Sequence, residues 1–141
     1  MAEARLLAAN ASTSLAGYLA MDTSKNQPFR TRLRFALAGL THSLRTEKSL
    51  KTQALVLLLV IIALVILRPA PLWWALVILA SAGVLAAELI NTAIERLADH
   101  LHPELHPAIR IVKDCAAAGV LVMVAGAVGV GVALFIELAR R

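Results

Sequence analysis

The sequence predicts an all-α membrane protein with three transmembrane helices, preceded by an amphipathic helix at the membrane interface. Two observations predict this class. The 141 residues are 60% hydrophobic and only 16% charged, whereas a soluble domain is typically about half apolar and about a quarter charged. The apolar residues are also collected into three long runs, as in membrane-spanning segments. A chain of this length is expected to form one domain.

Each of the three apolar runs is expected to cross the membrane as a helix. We place the spans at about residues 50–67, 72–98 and 113–138, since about 20 predominantly apolar residues cross the hydrocarbon core. The first run is uninterrupted only over residues 54–67, and it reaches the required length when the Lys51 side chain snorkels towards the interface. A short hairpin with two prolines joins the first two spans.

Residues 29–50 are expected to form an amphipathic helix that lies in the membrane interface. Four leucines recur at intervals of three and four residues, which places them on one helical face. They are Leu33, Leu37, Leu40 and Leu44. Basic residues surround this stripe, as is typical of interfacial helices. The preceding residues 1–27 are interpreted as a loosely ordered extension, which leaves residues 28–141 as the membrane domain.

The positive charge is concentrated before the first span. Eight of the fourteen basic residues precede the uninterrupted apolar run that begins at residue 54, and cytoplasmic flanks are enriched in lysine and arginine. We therefore expect a cytoplasmic amino terminus, an external proline hairpin, and the polar segment 96–114 back in the cytoplasm. The basic block lacks the interleaved aromatic residues that stack on bases. It therefore favours anionic lipid headgroups over nucleic acid.

The second span continues into a polar segment without a helix breaker. Glu88, Asn91, Glu95 and Asp99 are spaced three, four and four residues apart, which places all four on one face of the helix. Glu88 directly follows the apolar run and is expected at the hydrocarbon boundary. An ionisable group there is costly and indicates a functional site. The sequence therefore predicts a functional acidic face at the cytoplasmic end of this span.

The composition of the acidic face indicates phosphoryl transfer. Carboxylate and amide oxygens favour Mg²⁺ over zinc, and a partly desolvated Glu88 suits a general base acting on a hydroxyl near the membrane surface. Lys113, just before the third span, supplies a cation for phosphates. The sequence contains neither a GxxxxGK[ST] loop nor a kinase-type glycine loop. It therefore excludes the two common soluble classes of phosphotransferase.

Other interpretations stay open from the residues alone. An acidic helix face is often a solvated surface, Lys113 can be a topological anchor, and Glu47 can be a surface residue among basic neighbours. Three histidines of the loop raise the question of a metal, although their spacing favours solvent exposure. They are His100, His102 and His106. The alternative classes are a small ion-coupled transporter, which more often has its acidic residue in mid-span, and a non-enzymatic membrane scaffold.

The acidic face belongs to a longer pattern that resembles a known family. The strings that carry the resemblance are Glu88-Leu-Ile-Asn91-Thr-Ala-Ile-Glu95-x-x-x-Asp99, His106-Pro107, Lys113-Asp114-x-Ala-Ala, and, upstream, Gly39-Leu40 and Arg45-Thr46-Glu47. Over about residues 29–138 the chain resembles the small bacterial integral-membrane diacylglycerol kinases, a family that includes the undecaprenol kinases.

The resemblance implies an ATP-dependent lipid kinase of the bacterial cytoplasmic membrane, a homotrimer that uses Mg²⁺ and shares its active sites between subunits. It implies Glu88 as the general base for the lipid hydroxyl, and Glu47 and Glu95 as ligands of the metal that accompanies ATP. The residues implied to bind ATP are Glu47, Asn91, Glu95, Glu104, Leu105, His106, Lys113 and Asp114. Those implied to meet the lipid are Glu88, Ala117, and Arg30 or Arg32 of the surface helix.

The lipid is expected to be diacylglycerol, giving phosphatidic acid, with undecaprenol as the alternative. Gln53 stands where some diacylglycerol kinases have a further glutamate and where undecaprenol kinases tend to have histidine. The alanine-rich residues 115–118, which follow the Lys-Asp pair, are more similar to the undecaprenol kinases. The strings around Glu47 and His106 favour the undecaprenol kinases as well.

Overall fold

A computed structural model describes residues 27–102, 104 and 106–140 of the protein. These residues form four helices and no strand. The helices are α1 (Phe29–Thr46), α2 (Lys48–Leu67), α3 (Pro71–Leu101) and α4 (Pro107–Ala139). The predicted extension, residues 1–27, lies outside the described residues except for Gln27.

Helices α2, α3 and α4 are long and apolar enough to cross a membrane. They contain 20, 31 and 33 residues, whereas about 20 are needed for the hydrocarbon core. The predicted all-α fold with three membrane-length helices is therefore confirmed. Both α3 and α4 extend beyond their apolar runs into the polar segment that connects them.

The helices begin and end at residues that interrupt regular hydrogen bonding. Glu47 separates α1 from α2 with an extended backbone, φ −92° and ψ 124°. Both α3 and α4 have proline in the first turn, where its missing N–H breaks no helical hydrogen bond. His106 caps α4, since its Nδ1 accepts a hydrogen bond from the Ala108 N–H at 3.2 Å. This bond satisfies one of the amide groups that a helix start leaves without a partner.

Arg68 ends α2 in the left-handed region, with φ 46° and ψ 54°. This conformation costs a residue other than glycine about 1–2 kcal/mol. We expect Arg68→Gly to raise the free energy of unfolding by about 1 kcal/mol, because glycine relieves this strain. Reversible unfolding in dodecyl sulfate mixed micelles measures the change. Arg68→Ala removes the charge and keeps the strain, so a glycine variant no more stable than the alanine variant contradicts the expectation.

Helix α3 packs mainly against α4 and also contacts α2. The core shared by the three helices is formed by Leu64, Val77 and Leu134. Most of the other large apolar side chains are exposed, for example Leu79 and Phe135, at 72% and 73%. Such a surface is suited to hydrocarbon or to further subunits rather than to water.

The chain divides into two compact units, with the boundary between Gly39 and Leu40 inside α1. The second unit, from Leu40 onward, contains every predicted site residue except Arg30 and Arg32. The candidate site is therefore formed by the end of α1 together with α2, α3 and α4.

Candidate functional site

The four polar residues of the α3 face become more exposed towards the carboxyl end of the helix. Glu88 and Asn91 are buried, with 6% and 8% of their surfaces exposed. Glu95 is half-buried and Asp99 is exposed. Glu95 lies seven residues after Glu88, which corresponds to a rise of about 10 Å along the helix. This face therefore leads from an apolar environment at Glu88 towards water at its far end.

Glu88 is a buried carboxyl group on a helix that is otherwise apolar up to this point. Among the described residues, none of the three ion pairs includes it. Burying a carboxyl group costs free energy unless it is paired or neutralised. Packing alone gives no reason for a glutamate here, and the burial of Glu88 therefore favours a functional role.

Asn91 lies one turn beyond Glu88 and contacts Glu95. Its Nδ2 donates a hydrogen bond to Glu95 Oε1 at 2.9 Å, an i,i+4 pair along the helix face. The other amide atom, Oδ1, is buried and has no hydrogen-bond partner among the described residues. A buried polar atom of this kind is unusual in a folded protein. It is suited to a donor group of a ligand or to a hard cation.

Glu47 reaches the α3 face from the junction of α1 and α2. Its Oε1 accepts a hydrogen bond from Arg96 Nη2 at 2.6 Å. This ion pair joins Glu47 to α3 at the residue that directly follows Glu95. The side chains of Arg96 and Glu47 are 47% and 30% exposed, so the contact lies at an edge that solvent reaches.

Arg96 lowers the pKa of Glu47 below its ordinary value of 4.5. The hydrogen bond from Arg96 is the largest cause, and desolvation opposes it. The stabilisation from this contact is therefore fully present above the ordinary pKa and is lost as the pH falls through the lowered value. Glu47 is accordingly ionised at neutral pH, as a metal ligand must be.

Lys113 and Asp114 lie on the first turns of α4, beside the exposed end of the α3 face. Lys113 Nζ donates a hydrogen bond to Asp99 Oδ1 at 2.5 Å and ties α4 to α3. Asp114 pairs with Arg110 on its own helix at 3.8 Å. Partly exposed ion pairs are worth about 0–1 kcal/mol, so either pair can be exchanged for other polar contacts at small cost.

The remaining predicted residues are spread over the loop and the helix surfaces. Glu104 and His106 are exposed in the segment between α3 and α4, and Ala117 is exposed on α4. Leu105 lies outside the described residues. Arg30 and Arg32 are exposed on the first turn of α1, in the other compact unit.

Arg96 is the residue of the site that the sequence did not single out. The sequence shows it only as one basic residue of a segment expected in the cytoplasm. In the structure it contacts three side chains, those of His42, Thr46 and Glu47. Its position directly after Glu95 was the one available signal, and that position does not identify a partner 49 residues earlier.

Glu47 and Glu95 are the carboxylates that the resemblance implies as metal ligands. Within the part of the chain that the structure describes, no group of three or more acidic, histidine or cysteine side chains could hold a metal. Mg²⁺ is usually bound through one or two carboxylates together with substrate phosphates and water. The half-buried Glu95 carboxylate, hydrogen-bonded to Asn91, and the Glu47 carboxylate, held by Arg96 of the same helix, supply the oxygen ligands that such an ion takes.

An apolar cavity of about 470 Å³ lies between α2, α3 and α4. Its few polar lining residues include Thr52, Gln53 and Ser81, and it reaches Leu85, one turn before Glu88. Gln53 Oε1 is buried without a hydrogen-bond partner among the described residues. The volume lies in the range of small-molecule sites, and the lining suits an alkyl chain.

Three membrane-length helices and a carboxylate face that begins at the end of an apolar run define an integral membrane protein with a polar site beside the hydrocarbon. Residues 34–135 match the family described as prokaryotic diacylglycerol kinase. The chain belongs to this family, and it is therefore a lipid kinase by class. The predicted family is confirmed.

Two curated relatives are similar to most of the membrane domain. An undecaprenol kinase of Bacillus subtilis is 29% identical over 98 residues, which cover 70% of this chain and 80% of the relative. A diacylglycerol kinase of Synechocystis is 33% identical over 99 residues, which cover 70% of this chain and 57% of the relative. The chain thus spans just over half the length of the second relative.

Proposed function

We propose that this protein transfers the γ-phosphoryl group of ATP to the hydroxyl of diacylglycerol, giving phosphatidic acid at the cytoplasmic membrane surface. The observation that carries this function is the burial of Glu88 at the start of a helix face that continues through Asn91 to Glu95. That face places a carboxylate beside hydrocarbon and a second carboxylate about 10 Å nearer to water. The lipid hydroxyl can enter at the apolar end of this face while the nucleotide reaches it from the polar end, so that the two reacting groups come into contact beside Glu88.

Glu88 acts as the general base. Its carboxylate takes the proton of the lipid hydroxyl while the hydroxyl oxygen forms a bond to the γ-phosphorus of ATP. The bond from the γ-phosphorus to the bridging oxygen of ADP breaks, and ADP leaves with that electron pair. The apolar surroundings of Glu88 exclude water, which favours the lipid hydroxyl over hydrolysis.

The nucleotide is held by residues nearer to water. Glu47 and Glu95 would hold Mg²⁺, which would supply neutralisation of the phosphate charge. Asn91 orients Glu95 through its hydrogen bond and offers Oδ1 to the site. Lys113 binds phosphate oxygens after leaving Asp99. The other residues that position the nucleotide are Asp114, Glu104, Leu105 and His106.

Undecaprenol is the second candidate substrate, and undecaprenyl phosphate would then be the product. The alanine-rich residues 115–118 after Lys113-Asp114 favour it, and so does the relative named undecaprenol kinase. Gln53, which lines the apolar cavity, carries no charge, and this suits the chain of either lipid. Transport and scaffold functions are disfavoured by membership of the kinase family.

The chain is further proposed to work as a homotrimer with a cytoplasmic amino terminus in a bacterial inner membrane. The exposed apolar faces of α2 and α4 are suited to subunit contacts. In this arrangement α1 lies in the membrane interface as an amphipathic helix. Arg30 or Arg32 contacts the headgroup of the lipid substrate, and Ala117 contacts the lipid itself. Active sites are shared between neighbouring subunits.

Phosphate transfer from radiolabelled ATP to lipids tests the function. The purified protein in bilayers is supplied with diacylglycerol and undecaprenol side by side, and we expect transfer to diacylglycerol at a higher kcat/KM. A higher kcat/KM for undecaprenol would reverse the substrate assignment and leave the kinase class intact. An absence of transfer to both lipids would contradict the function itself. Omission of Mg²⁺ is expected to abolish transfer.

A further inference from the structure

Arg96 forms three hydrogen bonds, all to residues at the junction of α1 and α2. Its Nη2 donates to Glu47 Oε1 at 2.6 Å and to Thr46 Oγ1 at 2.8 Å. Its Nη1 lies 2.8 Å from His42 Nε2. A guanidinium group has no acceptor atom, so His42 Nε2 is the acceptor in this contact. Three acceptors therefore converge on a single cation.

The Glu47 carboxylate is directed at Arg96 instead of at its own helix. Glu47 is the residue that precedes the first turn of α2, yet its side chain makes no capping hydrogen bond there. Thr46 Oγ1 also contacts Glu47 Oε1, at 3.4 Å. One of the two carboxylate oxygens of Glu47 is therefore already bonded to a positively charged group.

We propose that Arg96 is a built-in competitor for the divalent cation at Glu47, which makes the metal enter with the nucleotide rather than as a free ion. A cation on Glu47 and the Arg96 guanidinium repel each other at short range, so each weakens the binding of the other to the carboxylate. This role rests on the proposed function only for the assignment of Glu47 as a metal ligand.

A metal–nucleotide complex removes the conflict that a free ion meets. Its phosphate oxygens carry negative charge, and a guanidinium binds such oxygens through paired hydrogen bonds. Arg96 is half-exposed, so it can turn from Glu47 to those oxygens without unfolding α3. Free Mg²⁺ or Mn²⁺ offers no such alternative partner. The arginine thus weakens the binding of the free cation and permits binding of the complex.

Binding of Mn²⁺ to the purified full-length protein without nucleotide tests this role. Free Mn²⁺ is measured by electron paramagnetic resonance, which does not depend on turnover. We expect Arg96→Ala to bind Mn²⁺ at least about threefold more tightly than the wild type, a change in the range of one partly exposed ion pair. Arg96→Gln removes the charge and retains hydrogen bonding, and it decides the matter if the alanine variant does not fold.

Two further variants locate the effect at Glu47. Lys48→Ala removes a neighbouring cation that is not hydrogen-bonded to Glu47, and its Mn²⁺ affinity is expected to match that of the wild type. Adding Glu47→Gln to Arg96→Ala is expected to abolish the increase in Mn²⁺ affinity that Arg96→Ala causes alone. Unchanged or weaker Mn²⁺ binding in the Arg96 variants would overturn the competitor role, as would an equal gain in Lys48→Ala.

Lipid phosphorylation by the same preparations separates this role from the proposed function. If the wild-type protein phosphorylates lipid and the Arg96 variants bind Mn²⁺ no more tightly than the wild type, the competitor role alone is overturned. Tighter Mn²⁺ binding in those variants, with no transfer by the wild type to either lipid, overturns the kinase function alone.

Discussion

Replacing Glu88 with glutamine is expected to lower the rate of phosphate transfer to lipid by about 10²- to 10⁴-fold, the usual contribution of a general base. Glutamine fills the same space and cannot accept the hydroxyl proton. Glu88 is buried, and none of the ion pairs of the described residues includes it. The substitution therefore breaks no ion pair and should leave the fold intact. The fold is monitored by circular dichroism and by unfolding in mixed micelles.

The control for this loss is Glu137→Gln, the same substitution in the last turns of α4. It removes a carboxylate from the end of the protein that lies away from the acidic face, and it is expected to keep wild-type transfer. Full turnover in Glu88→Gln would show that Glu88 is not the base. An equal loss in the control would show that the assay reports general damage to the protein.

Replacing Glu95 with glutamine is expected to raise the Mg²⁺ concentration for half-maximal transfer by at least about tenfold. The substitution removes one of two proposed metal ligands, and losses of 10- to 100-fold in affinity follow even changes at groups that only support such ligands. The amide of the new side chain can still accept the hydrogen bond from Asn91 Nδ2, so the helix face should be retained. Transfer is measured over a series of Mg²⁺ concentrations at saturating ATP.

High Mg²⁺ supplies the internal control for this prediction. Raising its concentration should restore part of the transfer in Glu95→Gln and none in Glu88→Gln, because only the first substitution weakens metal binding. An unchanged Mg²⁺ requirement in Glu95→Gln would remove Glu95 from the set of metal ligands.

Spacing alone was sufficient to predict the α3 face. Glu88, Asn91, Glu95 and Asp99 share one side of a helix at any position in a fold, because the periodicity of the helix is fixed. Length and apolar content likewise predicted three membrane-length helices, which the structure confirms. These features depend on local sequence, and no tertiary contact is needed to derive them.

The ends of the helices were harder to derive. The apolar runs mark where hydrocarbon would lie, whereas α3 ends at Leu101 and α4 begins at Pro107, both within polar sequence. A helix does not stop at the membrane surface when its polar residues still form helical hydrogen bonds. The break at Glu47 falls inside residues 29–50, which were expected to form a single helix, and no proline or glycine marks it.

The pairing of side chains from different helices could not be read from the sequence. Arg96 could equally have bonded to phosphate, lipid or another acid, and its contact with Glu47 exists only because the junction of α1 and α2 lies against α3. The pair formed by Lys113 and Asp99 has the same origin. Such contacts depend on helix packing, which the hydrophobic pattern of single helices does not determine.

The central claim is a division of roles along the α3 face, in which Glu88 is the general base and Glu95 binds the metal. MgATP binding to the two glutamine variants tests this division most directly. A fluorescent ATP analogue is titrated with Mg²⁺ into purified Glu88→Gln and Glu95→Gln, with the wild type alongside. Glu88→Gln is expected to bind the nucleotide within about twofold of the wild type while transferring phosphate about 10²- to 10⁴-fold more slowly, since a general base acts on the lipid hydroxyl and not on ATP. Glu95→Gln is expected to bind it at least about tenfold more weakly. Loss of nucleotide binding in Glu88→Gln, or wild-type binding in Glu95→Gln, would contradict the division.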